Sequence, residues 1–143
     1  IMVVNQLSYY LVMKKILTLL LLSPLAFAEI TLKDYAELRF DFDFTKMGKT
    51  EFVYIITKCH AVGGFAEQIG MGEGKATRLE YGAWMLKTYQ ELYPELDEDE
   101  HFNLMHEETK PHYVKYLNVY NKNKTNPELL ISDFAFCRMF AEL

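Results

Sequence analysis

The chain has few of the residues around which most catalytic and cofactor motifs are built. Its 143 residues include two cysteines, four prolines and one tryptophan. Beyond residue 28 there is a single serine, Ser132, and its neighbours do not form the GxSxG turn of the α/β-hydrolases. After His106 and Glu107 the HExxH zinc motif needs a second histidine where Lys110 stands. We therefore expect a non-catalytic protein.

Motifs for bound haem, phosphate and calcium are also incomplete. Cys59 is followed by a histidine but lacks the second cysteine of a CxxCH haem attachment. The glycine-rich segment 70–75 is followed by Ala76, where a phosphate loop needs Ser or Thr. In the acidic segment 95–102, Phe102 stands where a calcium-binding EF-hand needs glycine. We interpret these segments as a turn and a helix start, and we expect no cofactor.

The charge balance narrows the choice of partners. The chain carries 15 Lys and Arg and 20 Asp and Glu, for a net charge of −5. Without Lys14 and Lys15, which fall in the N-terminal segment discussed next, the net charge becomes −7. Nucleic acids and anionic lipid surfaces attract positive proteins. We expect neither nucleic acid nor a membrane surface as the partner, and predict that the partner is another protein.

Residues 13–28 have the three parts of a secretory signal peptide. Lys14 and Lys15 form the basic start, residues 16–22 the apolar run, and residues 26–28 a small-x-small cleavage site. We predict translation from Met13, cleavage after Ala28 and a periplasmic or secreted protein. Residues 29–143 would then form a single helical domain.

Two alternatives to this interpretation stay open. A start at Met2 would lengthen the segment, and the apolar run could be a membrane anchor instead of a cleaved signal. Pro24 and Glu29 make the run shorter than the roughly 20 apolar residues that span a bilayer. We therefore expect no stable membrane insertion once the signal is cleaved.

Cys59 and Cys137 predict one disulfide, because exported proteins usually pair their thiols. Closing a loop of this length stabilises a fold by about 4 kcal/mol in the chain-entropy model. The alternative is two free buried thiols. Each cysteine lies on the apolar stripe of a predicted helix, which supports the pairing independently of export.

Apolar residues recur at steps of three and four along most of the chain, which is the helical period. Thr31 opens a short helix, and residues 39–50 form an extended connector whose Phe side chains dock on the rest of the bundle. The first long helix is predicted to begin at Thr50 and to end at Gly70, and the second to end at Pro94. Pro111 is predicted to kink or break the third helix. Asn126 and Pro127 are predicted to begin the last helix. The predicted inward residues of the first long helix are Phe52, Ile55, Ile56, Cys59, Val62, Ala66 and Ile69, and those of the second are Leu79, Gly82, Ala83, Leu86, Tyr89 and Tyr93. Those of the third are Phe102, Met105, Thr109, Tyr113, Tyr116, Leu117 and Tyr120. Those of the last helix are Leu130, Phe134, Cys137 and Ala141.

These patterns predict an all-α fold, a small bundle of about four helices. One disulfide would join the first long helix to the last helix. Gly63 and Gly64 lie within the first long helix, where they either allow another helix to approach closely or mark a kink.

Two sets of side chains are candidate sites. His101, Met105, Glu108 and His112 fall on one side of the third helix if that helix is continuous, and could bind a transition metal. Tyr113, Tyr116 and Tyr120 follow helical spacing and form either an interaction face or the rim of the core. We predict an interaction or accessory protein, with a small-ligand or metal carrier as the alternative.

Overall fold

The first helix of the described residues, α1 (Leu32–Phe40), begins where the sequence predicts. The computed structural model describes residues 30–143, so the predicted signal peptide and the upstream residues 1–28 lie outside the described residues. The Thr31 side chain accepts the backbone N–H of Asp34 at 3.1 Å, which caps the helix.

The connector after α1 is more curled than expected. Asp41 and Phe42 both adopt left-handed backbone angles, with φ of 54° and 57°, and turn the chain sharply. A short 3₁₀ turn, Phe44–Lys46, replaces the predicted extended stretch. Phe44 nevertheless docks as predicted, with its ring centroid 5.6 Å from that of Phe140. This contact brings the connector onto the last helix.

Helix α2 (Lys49–Gln68) is the first long helix. It begins after Gly48, whose carbonyl accepts the Phe52 N–H at 3.0 Å, so the predicted cap at Thr50 is wrong by two positions. Gly70 has a φ of +80° just beyond the end of the helix, as its predicted role requires. Five of the seven predicted inward residues are fully buried, namely Ile55, Ile56, Cys59, Val62 and Ala66.

Helix α3 (Gly74–Leu92) buries Tyr89 as predicted, but most of its buried face differs from the predicted one. Leu79 is 52% exposed, whereas Thr77, Tyr81 and Met85 are completely buried. The Thr77 hydroxyl donates to the Glu73 carbonyl one turn earlier, at 2.8 Å, so burying it leaves no unsatisfied donor. The predicted stripe omitted Tyr81 and Met85 although both are apolar, and it omitted Thr77 because a hydroxyl is polar.

Helix α4 (Glu98–Lys122) is continuous through Pro111, so the predicted break is wrong. Pro111 and Glu107, whose carbonyl loses its helical N–H partner there, are both exposed. Solvent can therefore satisfy that carbonyl. Two residues predicted to face inward, Phe102 and Leu117, are 46% and 38% exposed.

Helix α5 (Glu128–Ala141) follows Pro127, which is itself the cap, one residue later than predicted. Its buried residues are Leu130, Asp133, Phe136, Cys137 and Phe140. The Cys59–Cys137 disulfide joins α2 to α5 across 5.5 Å between Cα atoms. The all-α prediction and the disulfide pairing are therefore confirmed, with five helices and no strand in residues 30–143.

Helices α2 and α3 form the most extensive helix pair of the described residues, and their backbones approach closely at Gly63. A Cβ atom on Gly63 would lie 2.6 Å from the backbone nitrogen of Arg78. A Cβ on Gly64 would meet only the Arg78 side chain, at 3.7 Å. The glycine pair was predicted either to allow close approach of another helix or to mark a kink. The close approach is observed, and of the two glycines only Gly63 allows it.

This difference gives a matched pair of variants. Gly63→Ala should destabilise the fold by about 1–3 kcal/mol, because backbone atoms of α3 must move. Gly64→Ala should be neutral or stabilising by up to about 1 kcal/mol, because alanine favours the helix. Urea unfolding of both variants measures the two free energies. Equal effects would mean that α3 does not pack against Gly63.

Candidate functional site

A buried carboxylate, Asp133, connects four of the helices. Asp133 is fully buried, and its Oδ2 lies 3.3 Å from Nζ of Lys58, which is 1% exposed. The hydroxyl of Tyr116 donates to the same oxygen at 2.6 Å, and the backbone N–H of Leu32 donates to Oδ1 at 2.6 Å. One side chain of α5 thus binds α1, α2 and α4.

The surroundings of this cluster keep its groups in fixed roles. Nζ of Lys58 lies 5.6 Å from the ring centroid of Tyr54 and 5.8 Å from that of Tyr116, so two aromatic faces also contact the cation. Burial, with the Asp133 carboxylate beside it, raises the pKa of Tyr116 well above its usual value. Tyr116 therefore stays protonated and acts as a donor. The cluster is suited to holding helices together.

His112 lies next to this cluster and is held neutral. Its ring meets that of Tyr54 edge to face, at 5.9 Å between centroids. Burial, together with the nearby positive charges of Lys58 and Lys115, lowers the pKa of His112 to about 4. A proton on His112 would add a third positive charge close to those of Lys58 and Lys115.

The predicted metal set receives no support from this geometry. His101 points Nε2 at the Tyr93 carbonyl, 2.8 Å away, and so joins α4 to the end of α3. His112 faces Tyr54, and Glu108 is exposed. Within residues 30–143, no three His, Cys, Asp or Glu side chains are grouped so that they could hold a metal ion. A metal on His101, Met105, Glu108 and His112 stays a prediction.

The middle residue of the predicted tyrosine face, Tyr116, is not available as an interaction residue. Tyr116 is completely buried and bound to Asp133, so it belongs to the core and cannot contact a partner. Tyr113 and Tyr120 pack edge to face on Phe65 of α2, at 5.4 and 5.5 Å between ring centroids. The three residues share a helix side, as predicted, but that side faces α2. Tyr113 and Tyr120 thus form the rim of the core.

An open apolar cleft, which the sequence did not reveal as a site, lies where the connector, α2, α3 and α5 meet. Its volume is about 480 Å³. Its apolar walls are Phe44, Met47, Phe52, Trp84, Phe140 and Leu143, and its polar residues are Lys87, Thr88 and Glu91. We call this set of residues the aromatic cleft. The lone tryptophan was its only conspicuous sequence signal, because the four elements contribute residues separated by up to a hundred positions.

Charges of both signs lie at the edge of the aromatic cleft. Lys87 and Glu91 are one helical turn apart on α3, and both are exposed. Neither forms an ion pair with another residue of the described part of the chain. The cleft therefore offers an aromatic floor beside one available cation and one available anion.

Comparison of the chain with protein-family models, with curated proteins and with solved structures found no match. Among residues 30–143, no helix combines the length and the hydropathy that crossing a bilayer requires.

The ion pair in the core can be tested by a double-mutant cycle. Asp133→Asn keeps an acceptor for the Leu32 N–H but leaves the Lys58 cation buried and unpaired, so we expect a loss of about 3–5 kcal/mol. Lys58→Met combined with Asp133→Asn should recover part of that loss, because no charge then remains buried. Thermal or urea unfolding measures the cycle. Additive losses in the double variant would show that the two charges do not interact.

His112 predicts a loss of stability in acid. Its folded pKa of about 4 lies below the ordinary histidine value of about 6.5, so its contribution is complete above pH 6.5 and is lost as the pH falls towards 4. We expect His112→Gln to remove about 2–3 kcal/mol of this pH dependence. Unfolding free energies measured from pH 7.5 to 4 check the slope. His106→Gln, on the exposed side of α4, is the control and should leave it unchanged; a wild-type slope in His112→Gln would contradict the assignment.

Proposed function

We propose that this is an exported, non-catalytic binding protein that holds an apolar segment of a partner protein in the aromatic cleft. The signal-peptide pattern of residues 13–28 supports export, and so does the Cys59–Cys137 disulfide, a bond typical of oxidising compartments. Every buried polar side-chain atom in the described residues has a hydrogen-bond partner. The core groups are therefore engaged in the fold rather than available for chemistry.

The observation that carries the proposal is the composition of the aromatic cleft. Phe44, Phe52 and Trp84 are only partly buried, although burying them completely would be favourable. Aromatic side chains grouped in this way act as binding hot spots in protein interfaces. A partner that covered them would gain the apolar burial that the isolated fold does not provide.

The charges at the cleft favour a polypeptide as the occupant. Lys87 and Glu91 could pair with an acidic and a basic residue placed about one turn apart on a partner helix. Such a helix would lay its apolar face on Phe52 and Trp84 and direct its charged residues to this edge. The matching segment therefore combines an apolar stripe with one charge of each sign.

A small-ligand carrier is the second candidate, because a volume of about 480 Å³ lies within the range of small-molecule pockets. Such pockets usually enclose most of the ligand surface. The aromatic cleft is open instead: Leu143 is 71% exposed, and Lys87 and Glu91 are exposed as well. The open side favours the polypeptide.

Site-specific photo-crosslinking in the exporting host tests the proposal. A photo-reactive phenylalanine at Trp84 should capture one partner through an apolar segment that carries an acid and a base. The same probe at Leu117, an exposed residue of α4, is the control and should not capture that partner. The mass of the purified chain, expected to begin at Glu29, checks export in the same sample.

A peptide copied from the captured segment then gives the quantitative test. The only tryptophan of the chain lies in the cleft, so binding should change the Trp84 emission. Phe52→Ala should weaken binding by at least about tenfold if the ring is a hot spot. An unchanged emission would refute the assignment of the cleft. Capture of a second copy of this chain, or a small molecule that co-purifies and alone alters the emission, would also overturn the proposal.

A further inference from the structure

A second groove lies between α2, α3 and α4, away from the aromatic cleft. Its volume is about 370 Å³. His60 of α2, Gly82 of α3, and Met105 and His106 of α4 are among the residues that line it. We call it the histidine groove. It brings the imidazole of His60 on α2 and the thioether and imidazole of Met105 and His106 on α4 to one opening, and none of these groups belongs to the Asp133 cluster.

The His60 ring is oriented with one nitrogen available to the groove. Its Nδ1 lies 3.0 Å from the Arg78 carbonyl oxygen, which can only accept, so Nδ1 carries the proton. Nε2 then carries a lone pair, and no bond to it is formed by another described residue. Since no buried side-chain nitrogen in the described residues lacks a partner, Nε2 is not fully buried, and His60 itself lines the groove.

This arrangement is the one that metal-binding histidines usually show. One ring nitrogen binds the metal, while the other donates its proton to a carboxylate or a backbone carbonyl, which fixes the orientation of the ring. Gly82 provides the room that the ring needs, because a Cβ there would lie 3.1 Å from Cε1 of His60. The positive charge of Arg78 is engaged by Glu67, whose Oε2 lies 2.5 Å from Nε of the arginine.

We propose that the histidine groove binds one Cu(I) ion through Nε2 of His60, the imidazole of His106 and the thioether of Met105. Imidazole and thioether are ligands that suit this soft cation. Harder divalent ions prefer sets with more nitrogen and carboxylate ligands, and no third His, Cys, Asp or Glu joins the groove among the described residues. The inference is independent of the aromatic cleft and of the predicted metal set on α4, with which it shares only Met105.

Anaerobic titration of the untagged mature protein with Cu(I) tests this site. The reductant should be ascorbate rather than a thiol, so that the disulfide stays intact, and a coloured Cu(I) chelator should compete for the metal. We expect one equivalent to bind. His60→Ala, His106→Ala and Met105→Leu should each weaken binding by about tenfold or more, the scale at which even supporting residues of metal sites act.

Matched controls separate the site from other causes. Met139→Leu changes an exposed methionine outside the groove and should bind Cu(I) as the wild type does. Thermal unfolding without metal identifies any variant that fails to fold. Because His106 is exposed, we expect His106→Ala to fold, and it tests the site even if His60→Ala does not fold. No binding, binding unaffected by the groove variants, or Zn²⁺ held more tightly than Cu(I) would overturn the proposal.

Discussion

The structure depends on one buried carboxylate that receives three donors from three other helices. Asp133 binds Lys58 of α2, Tyr116 of α4 and the backbone N–H of Leu32 in α1. A buried charge without partners would cost several kcal/mol. An arrangement that buries Asp133 therefore has to supply it with donors, and the observed one supplies three, from α1, α2 and α4.

The disulfide reinforces the same helix at the next turn. Cys137 lies four residues after Asp133, on the same face of α5, and is bonded to Cys59, itself one residue after Lys58. The Tyr81 hydroxyl donates to the Cys137 carbonyl and fastens α3 to this point as well. Covalent and ionic links therefore act between the same two helix segments. With the core so fully engaged, the groups left for function lie at its edges, in the aromatic cleft and the histidine groove.

Much of the fold could be predicted because periodicity and capping are local properties. The stripe of α2, the cap at Thr31 and the left-handed Gly70 each depend on a few neighbouring residues. The disulfide could be predicted because the chain offers only one pair. The buried face of α3 could not, since whether Thr77 faces inward depends on a hydroxyl bonding back to the Glu73 carbonyl. Nor could the continuity of α4, which depends on Pro111 and Glu107 facing solvent.

The candidate sites were harder to predict for the same reason. From the sequence alone, Asp133 is only a polar residue within an apolar helix. Its partners, which identify its role, lie up to 101 positions away. Tyr116 resembles its neighbours Tyr113 and Tyr120 in sequence, and only the position of Asp133 separates a core residue from a rim residue. The aromatic cleft and the histidine groove combine residues from three or more elements. Spacing along one helix contains no information on such combinations.

Native-state hydrogen exchange at the Leu32 amide tests the central role of Asp133 most directly. This N–H lies at the first turn of α1, where helix ends normally fray. Because it donates to a carboxylate at the centre of the core, we predict that it exchanges only through global unfolding, with the same free energy as the amides of α2 and α5. Rapid exchange typical of a frayed terminus would contradict the account, since α1 would then not be held by Asp133.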